Sequence, residues 1–220
     1  MRRIILIILL INCCFSFSQN YKYVLDPKGK LSDLQTLFKT YPDNAVEFRI
    51  VKDSGKVFQI TAPRYLTYKV NYTVFKTKIS QITHQLYNDS TIFVFQFYYK
   101  NDTTLLTENN VFDEQKRDFK NFIKEMKRSI EKKYPNVIIF LIFENGIIFS
   151  NFNKVPSKRE VFYSDKGNFF KGNLFKKSIL CGSQCIMKPN GEIVVRNGEY
   201  RLDRMIDNLK PENWNQLFPN

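Results

Sequence analysis

Cys181 and Cys185 are the residues of this chain best suited to covalent chemistry. A thiolate attacks disulfides and binds soft metals. On an extended strand the two Cα atoms would stand about 13 Å apart, four steps of ~3.3 Å. A disulfide needs them within about 7 Å. The pair therefore closes only if Gly182-Ser183 turns the chain. The readings, in order, are two separate thiols with Cys185 buried as a small hydrophobe, a strained disulfide, and a redox or metal site. A structural metal site needs four ligands, and two cysteines with one distant histidine do not supply them. That histidine, His84, has no Cys, Asp or Glu at ligand spacing and is expected on the surface. Cys181 and Cys185 stand as candidate thiols, and no catalytic group, metal or cofactor is expected.

Other chemistries find less support. The chain has no phosphate-binding glycine loop. No Ser/His/Asp set can be assembled around His84, and any pair of carboxylates would be arbitrary. The stretch Arg64–Lys78 mixes Tyr65, Tyr68 and Tyr72 with Lys69, Lys76 and Lys78. Exposed aromatics with basic neighbours can stack on bases and hold phosphates. The same residues serve as the buried side of a strand or helix, because aromatics contribute so much burial energy. That second reading is adopted, and nucleic acid is not expected as a partner.

The first residues read as an export signal. Arg2 and Arg3 precede Ile4–Ile11, the apolar run reaches Phe15, and Ser16-Phe17-Ser18 gives a small-x-small cleavage pattern. The run is shorter than the ~20 apolar residues of a membrane span. Residues 1–19 are therefore expected to be a signal peptide, with the chain periplasmic or secreted after cleavage and no membrane span left. A lipid-anchored form is the alternative, because Leu10 stands three residues before Cys13, but Asn12 occupies the place of the usual small residue.

The whole chain, with 43% hydrophobic and 15% aromatic residues, has material for a core. Its 34 basic and 21 acidic residues give a net charge of +13. Such an excess favours anionic surfaces, although no block of like charge concentrates it. The expected partner is an unknown protein or an anionic envelope surface.

Periodicity places the elements. Ser32 and Gln35 form a capping box before a short helix that stops at Pro42. Val46–Val51 and Lys56–Thr61 flank Asp53-Ser54-Gly55 as a hairpin. Residues 65–74 alternate like a strand, but the helical step Tyr72, Phe75, Ile79, Ile82, Leu86 predicts a helix over about 72–87. Ile92–Tyr99 is almost continuously apolar, as in a central strand buried on both faces. Residues 100–112 read as a polar loop. A helix is predicted from about Asp113 to Tyr134, with Phe119, Phe122, Ile123, Met126 and Ile130 on one stripe. Val137–Phe143 is a second buried strand, and Asn145-Gly146 turns the chain into a short strand at Ile147–Phe149. Residues 151–160 form a basic loop, Glu160–Tyr163 is extended, and Asn168–Phe175 holds a helical turn or two. Ser183–Lys188 and Glu192–Arg196 flank Pro189-Asn190-Gly191 as a hairpin. A last helix runs from about Glu199 to Leu209 and ends at Pro211, and Trp214, Leu217 and Phe218 pack back as a cap.

From residue 90 the order is buried strand, helix, buried strand, short helical region, hairpin, terminal helix. With Gln184–Arg196 as the hairpin and Phe93–Tyr98 as the central strand, this resembles the thioredoxin-like fold, especially exported TlpA-like thiol-disulfide proteins. The resemblance covers residues 90–210. It implies an α/β fold with a three-layer α/β/α core over 89–220 and an N-terminal α+β extension over 20–88. The family's chemistry needs a Cys-x-x-Cys at the start of the first core helix, where the helix N-terminus lowers the thiol pKa. Here Tyr98-Tyr99 is followed by Lys100-Asn101-Asp102-Thr103-Thr104-Leu105, with no cysteine. The family's cis-proline falls at about Gly182. The resemblance therefore carries over the fold and not the activity. The expected function is binding, as an exported non-catalytic module of a bacterial envelope. The alternatives are an atypical thiol oxidoreductase using Cys181 or Cys185, and a basic protein that binds anionic glycan or lipid.

Overall fold

The two longest apolar runs lie side by side at the centre of one sheet. The computed structural model describes residues 23–42, 44–51, 55–102, 105–107, 109–112, 117–149 and 162–219. The predicted signal segment, the predicted turn at Asp53-Ser54, the predicted helix start at Asp113 and the predicted basic loop 151–160 lie outside the described residues. The strands are β1 (Tyr23–Leu25), β2 (Asn44–Val51), β3 (Gly55–Pro63), β4 (Tyr65–Lys69), β5 (Ile92–Tyr98), β6 (Val111–Phe112), β7 (Val137–Glu144), β8 (Ile148–Phe149), β9 (Phe162–Asp165), β10 (Ser183–Met187) and β11 (Glu192–Asn197). The α-helices are α1 (Leu34–Thr40), α2 (Tyr72–Thr83), α3 (Arg117–Lys133), α4 (Phe169–Asn173), α5 (Leu202–Met205) and α6 (Pro211–Leu217), with a 3-10 turn at Ile206–Leu209. The protein is thus a mixed α/β fold.

Six strands form the main sheet in the order β4-β11-β10-β5-β7-β9. β5, β7 and β9 run parallel, while β4, β11 and β10 join by antiparallel pairing. Helices cover both faces, which explains why β5 and β7 are apolar on both sides. On one face Phe93, Phe95 and Phe97 pack with Phe75 and Ile79 of α2 and Phe170 of α4. On the other, Val94, Ile139 and Leu141 meet Ile123 and Ile130 of α3, Met205 of α5 and Trp214 of α6. The hairpin β2–β3 and β1 make a separate three-stranded sheet.

Several boundaries differ from the sequence reading. Asp33, not Ser32, caps α1, its carboxylate accepting from the Thr36 N–H at 2.8 Å. The stretch 65–87 is a strand followed by a helix, and α2 ends at Thr83 because His84 turns left-handed at φ 53°. Tyr72 packs inward, stacked on Phe93 and donating to the Thr91 carbonyl. On α3, Ile123 and Ile130 are buried but Phe122 is exposed, one residue off their stripe. The polar loop 100–112 hides Leu106 and Phe112 in the core, and its β6 pairs parallel with β8. Two-residue strands carry no period to detect.

The helix predicted over 199–209 begins only at Leu202 and tightens into the 3-10 turn at Ile206. Residues 197–199 are spent on a turn, where Gly198 N–H bonds the Gly182 carbonyl and the Arg196 guanidinium bonds the carbonyls of Asn197, Gly198 and Glu199. Pro211 opens α6 rather than ending its predecessor. At the first helical position its missing N–H costs nothing and its fixed φ suits the helix.

Candidate functional site

The parallel strands β5, β7 and β9 end together, beside the start of antiparallel β10. From β5 the sheet continues to β7 on one side and to β10 on the other. Open α/β sheets form ligand crevices at such carboxyl ends. Here a concavity of about 360 Å³ lies there, walled by Leu66, Tyr68, Tyr99, Leu174, Phe175 and Asn197, with Pro63, Lys176 and Lys177 completing the lining. Its size is at the small end for ligand pockets. Both lysines are exposed, and the walls are mainly apolar.

A buried hydrogen-bond relay fixes the floor. The Asn197 amide donates to the Pro63 carbonyl at 2.8 Å, which leaves its Oδ1 as an acceptor. The Ser183 hydroxyl donates to that oxygen at 2.9 Å, so Ser183 Oγ accepts from Tyr99 at 2.9 Å. Three strands and a loop are thereby tied together. Burial raises the Tyr99 phenol above its ordinary value, so it stays protonated and able to donate. Tyr68 crosses the cleft to the Leu174 carbonyl at 3.4 Å.

A charged cluster supports one wall. Lys171 pairs with Glu144 at 3.3 Å, donates to Ser178 at 2.7 Å and lies 4.4 Å from the Tyr99 ring centre. Glu144 also accepts the Lys100 N–H. Asp165, at the end of β9, accepts from the Phe170 and Lys171 N–H groups and anchors α4. Burial raises the Asp165 carboxyl above its ordinary value, against the opposing pull of those N–H groups. Folding therefore favours the protonated acid, and the ionised group costs stability at neutral pH. The cost fades as the pH falls through the raised value towards the unfolded one near ~3.9. Relative to Asp165→Asn, the wild type is expected to gain unfolding free energy between about pH 7 and pH 4. Parallel stability curves in urea titrations would contradict this.

The two thiols are placed apart. Cys185 is wholly buried on β10, opposite Phe95 and Val195 and on the face of Tyr68. Burial pushes its thiol well above the ordinary range. Cys181 is half-buried, with φ at 63°. The turn closes at Ile179–Gly182, ahead of the strand, so Ser183–Cys185 stay extended and no disulfide joins the two. His84 is exposed, as expected.

Sequence reasoning named the thiols and missed the cleft. Tyr99 closes a recognisable apolar run, and Ser183 opens a recognisable hairpin. Their contact spans 84 residues, and Asn197 to Pro63 spans 134. No local spacing encodes such pairs. Comparison with protein-family models, with curated proteins and with solved structures finds no match to this chain.

Proposed function

We propose that this chain is an exported, non-catalytic thioredoxin-like protein that acts by binding in a bacterial envelope, with the Tyr68–Tyr99 cleft as its binding surface. The observation that carries the binding reading is the cleft itself: an apolar, tyrosine-walled hollow whose polar groups are committed to one another. Such a hollow suits an apolar group of a partner and offers no activated nucleophile. The fold reading is supported by the order β7-β5-β10-β11, parallel in its first pair and antiparallel in the next two. It is also supported by α3, which lies between β5 and β7 and shares a face with α5. The export reading rests on Arg2-Arg3, the short apolar run and Ser16-Phe17-Ser18. Among the described residues, no helix is long and apolar enough to cross a membrane.

The rival reading, thiol chemistry through Cys181 or Cys185, needs a thiolate at neutral pH. For Cys185 burial opposes this. Titration with a thiol reagent, native and then unfolded, separates the readings. Cys185 is expected to stay inert until the chain unfolds, and Cys181→Ser protein should show no fast native phase. A rapid native reaction with a depressed pKa, together with turnover of a protein disulfide, would establish the oxidoreductase instead.

A further inference from the structure

The segment that walls the cleft also sets its charge. After α4, Leu174 and Phe175 turn into the core, while Lys176 and Lys177 stay exposed. All four line the same hollow, which is therefore apolar inside and basic at its mouth. The two lysines are the only charged residues of that lining, and among the described residues no carboxylate stands there to neutralise them. Lys176 enters no ion pair among the described residues. Glu144, which reaches the Tyr99 side of the cleft through Lys171, is already paired with that lysine at 3.3 Å.

The polar groups inside the hollow narrow the ligand further. Tyr99, Ser183, Asn197 and the Pro63 carbonyl satisfy one another. A sugar or a nucleotide buried there would lose its water without gaining partners, whereas an aliphatic chain gains by leaving water. Tyr68 differs from these groups. Its hydroxyl reaches the Leu174 carbonyl only at 3.4 Å, against about 2.7–2.8 Å for a well-formed bond of this kind. Leu174 stands two residues before Lys176. A carboxylate at this point would accept a shorter, charge-assisted bond from the phenol, beside the Lys176 ammonium. Burial raises the Tyr68 phenol above its ordinary value, so it stays protonated and able to donate. The volume sets the length of the ligand. A hollow of about 360 Å³ holds about a dozen non-hydrogen atoms, at roughly 30 Å³ for each water-sized group.

We propose that the cleft binds a medium-chain fatty acid, with its alkyl chain among Leu66, Tyr99, Leu174 and Phe175 and its carboxylate at the mouth between Tyr68 and Lys176. Lys177 adds a second positive charge there. This inference rests on the reading of the cleft as the binding surface and adds the chemical class of its ligand.

The test titrates the protein cleaved after residue 19 with decanoate and, separately, with decanol, each below the concentration at which it self-associates. Binding is read by calorimetry and by NMR shifts at Tyr68, Tyr99 and Phe175. Decanoate is expected to bind saturably and about tenfold tighter than decanol, since only the acid gains the charged contacts. Lys176→Gln should lower the decanoate-to-decanol affinity ratio by about threefold, as loss of an exposed ion pair does. Tyr68→Phe should lower it by about threefold to tenfold, because it removes a hydrogen bond to a charged group. Unaltered circular dichroism spectra check that both variants fold. Added salt should weaken decanoate and spare decanol, and Leu66→Trp, which fills the hollow, should abolish binding of both. Equal affinities for the two probes, a ratio unchanged in both Lys176→Gln and Tyr68→Phe, or decanoate binding that survives in Leu66→Trp while decanol binding is lost, would overturn the fatty-acid proposal and leave the cleft as an apolar binding surface. Absence of a saturable shift at the cleft with either probe would overturn the binding reading as well.

Discussion

Phe97→Ala is expected to lower stability by about 3–5 kcal/mol, as deletion of a buried aromatic ring does. Phe97 is fully buried in the middle of the sheet. Its ring stacks on Phe175 at 4.5 Å and meets Tyr99 edge-on at 5.0 Å. Those two partners are walls of the cleft. The deletion therefore acts twice: it removes core burial, and it leaves the cleft walls without backing. Urea unfolding reads the first effect. Phe97→Leu, which restores part of the volume, should recover a good part of the loss. A cost near ~1 kcal/mol, the middle of the range for arbitrary substitutions, would show that Phe97 is not the keystone described here.

Gly182→Ala is the second large effect. Gly182 sits at φ 79°, where a side chain is strained by about 1–2 kcal/mol. A methyl there would also stand 2.5 Å from the Phe97 carbonyl, a backbone atom that cannot move without shifting β5. Overpacking of this kind adds about 1–3 kcal/mol. The total of about 2–5 kcal/mol contrasts with Gly172→Ala. Gly172 lies in α4 with nothing near its missing methyl, and there alanine should be neutral or stabilising by up to ~1 kcal/mol. Equal thermal stabilities for the two variants would contradict the close approach of β10 to β5.

The contrast between these positions shows what could be read in advance. Val137–Phe143 and Ile92–Tyr99 are legible because nearly continuous apolarity has one economical explanation, a strand covered on both faces. Asn190-Gly191 announced its hairpin, and Gly191 indeed takes φ 81°. Cys185 was legible as a buried thiol because it is followed by Ile186 and Met187 on the first strand of the predicted hairpin. By contrast, the joining of β4 to β11 was not legible. Five residues that alternate weakly beside a helical period do not state their partner. The buried Arg196 was equally hidden. Its three carbonyl acceptors follow it closely in sequence, but its burial comes from Tyr65 and Tyr200, one of them far away in the chain.

The cleft is where the proposed function meets the structure, and one measurement addresses it directly. Amide and aromatic NMR spectra of the protein cleaved after residue 19 would be recorded with a panel of small aliphatic and aromatic fragments. The account predicts shifts concentrated at Leu66, Tyr68, Tyr99, Leu174, Phe175 and Asn197, and their loss in Leu66→Trp, whose indole would occupy the hollow. Shifts scattered over other surfaces, or fragment binding that survives in the filled variant, would contradict the assignment of the cleft as the binding surface.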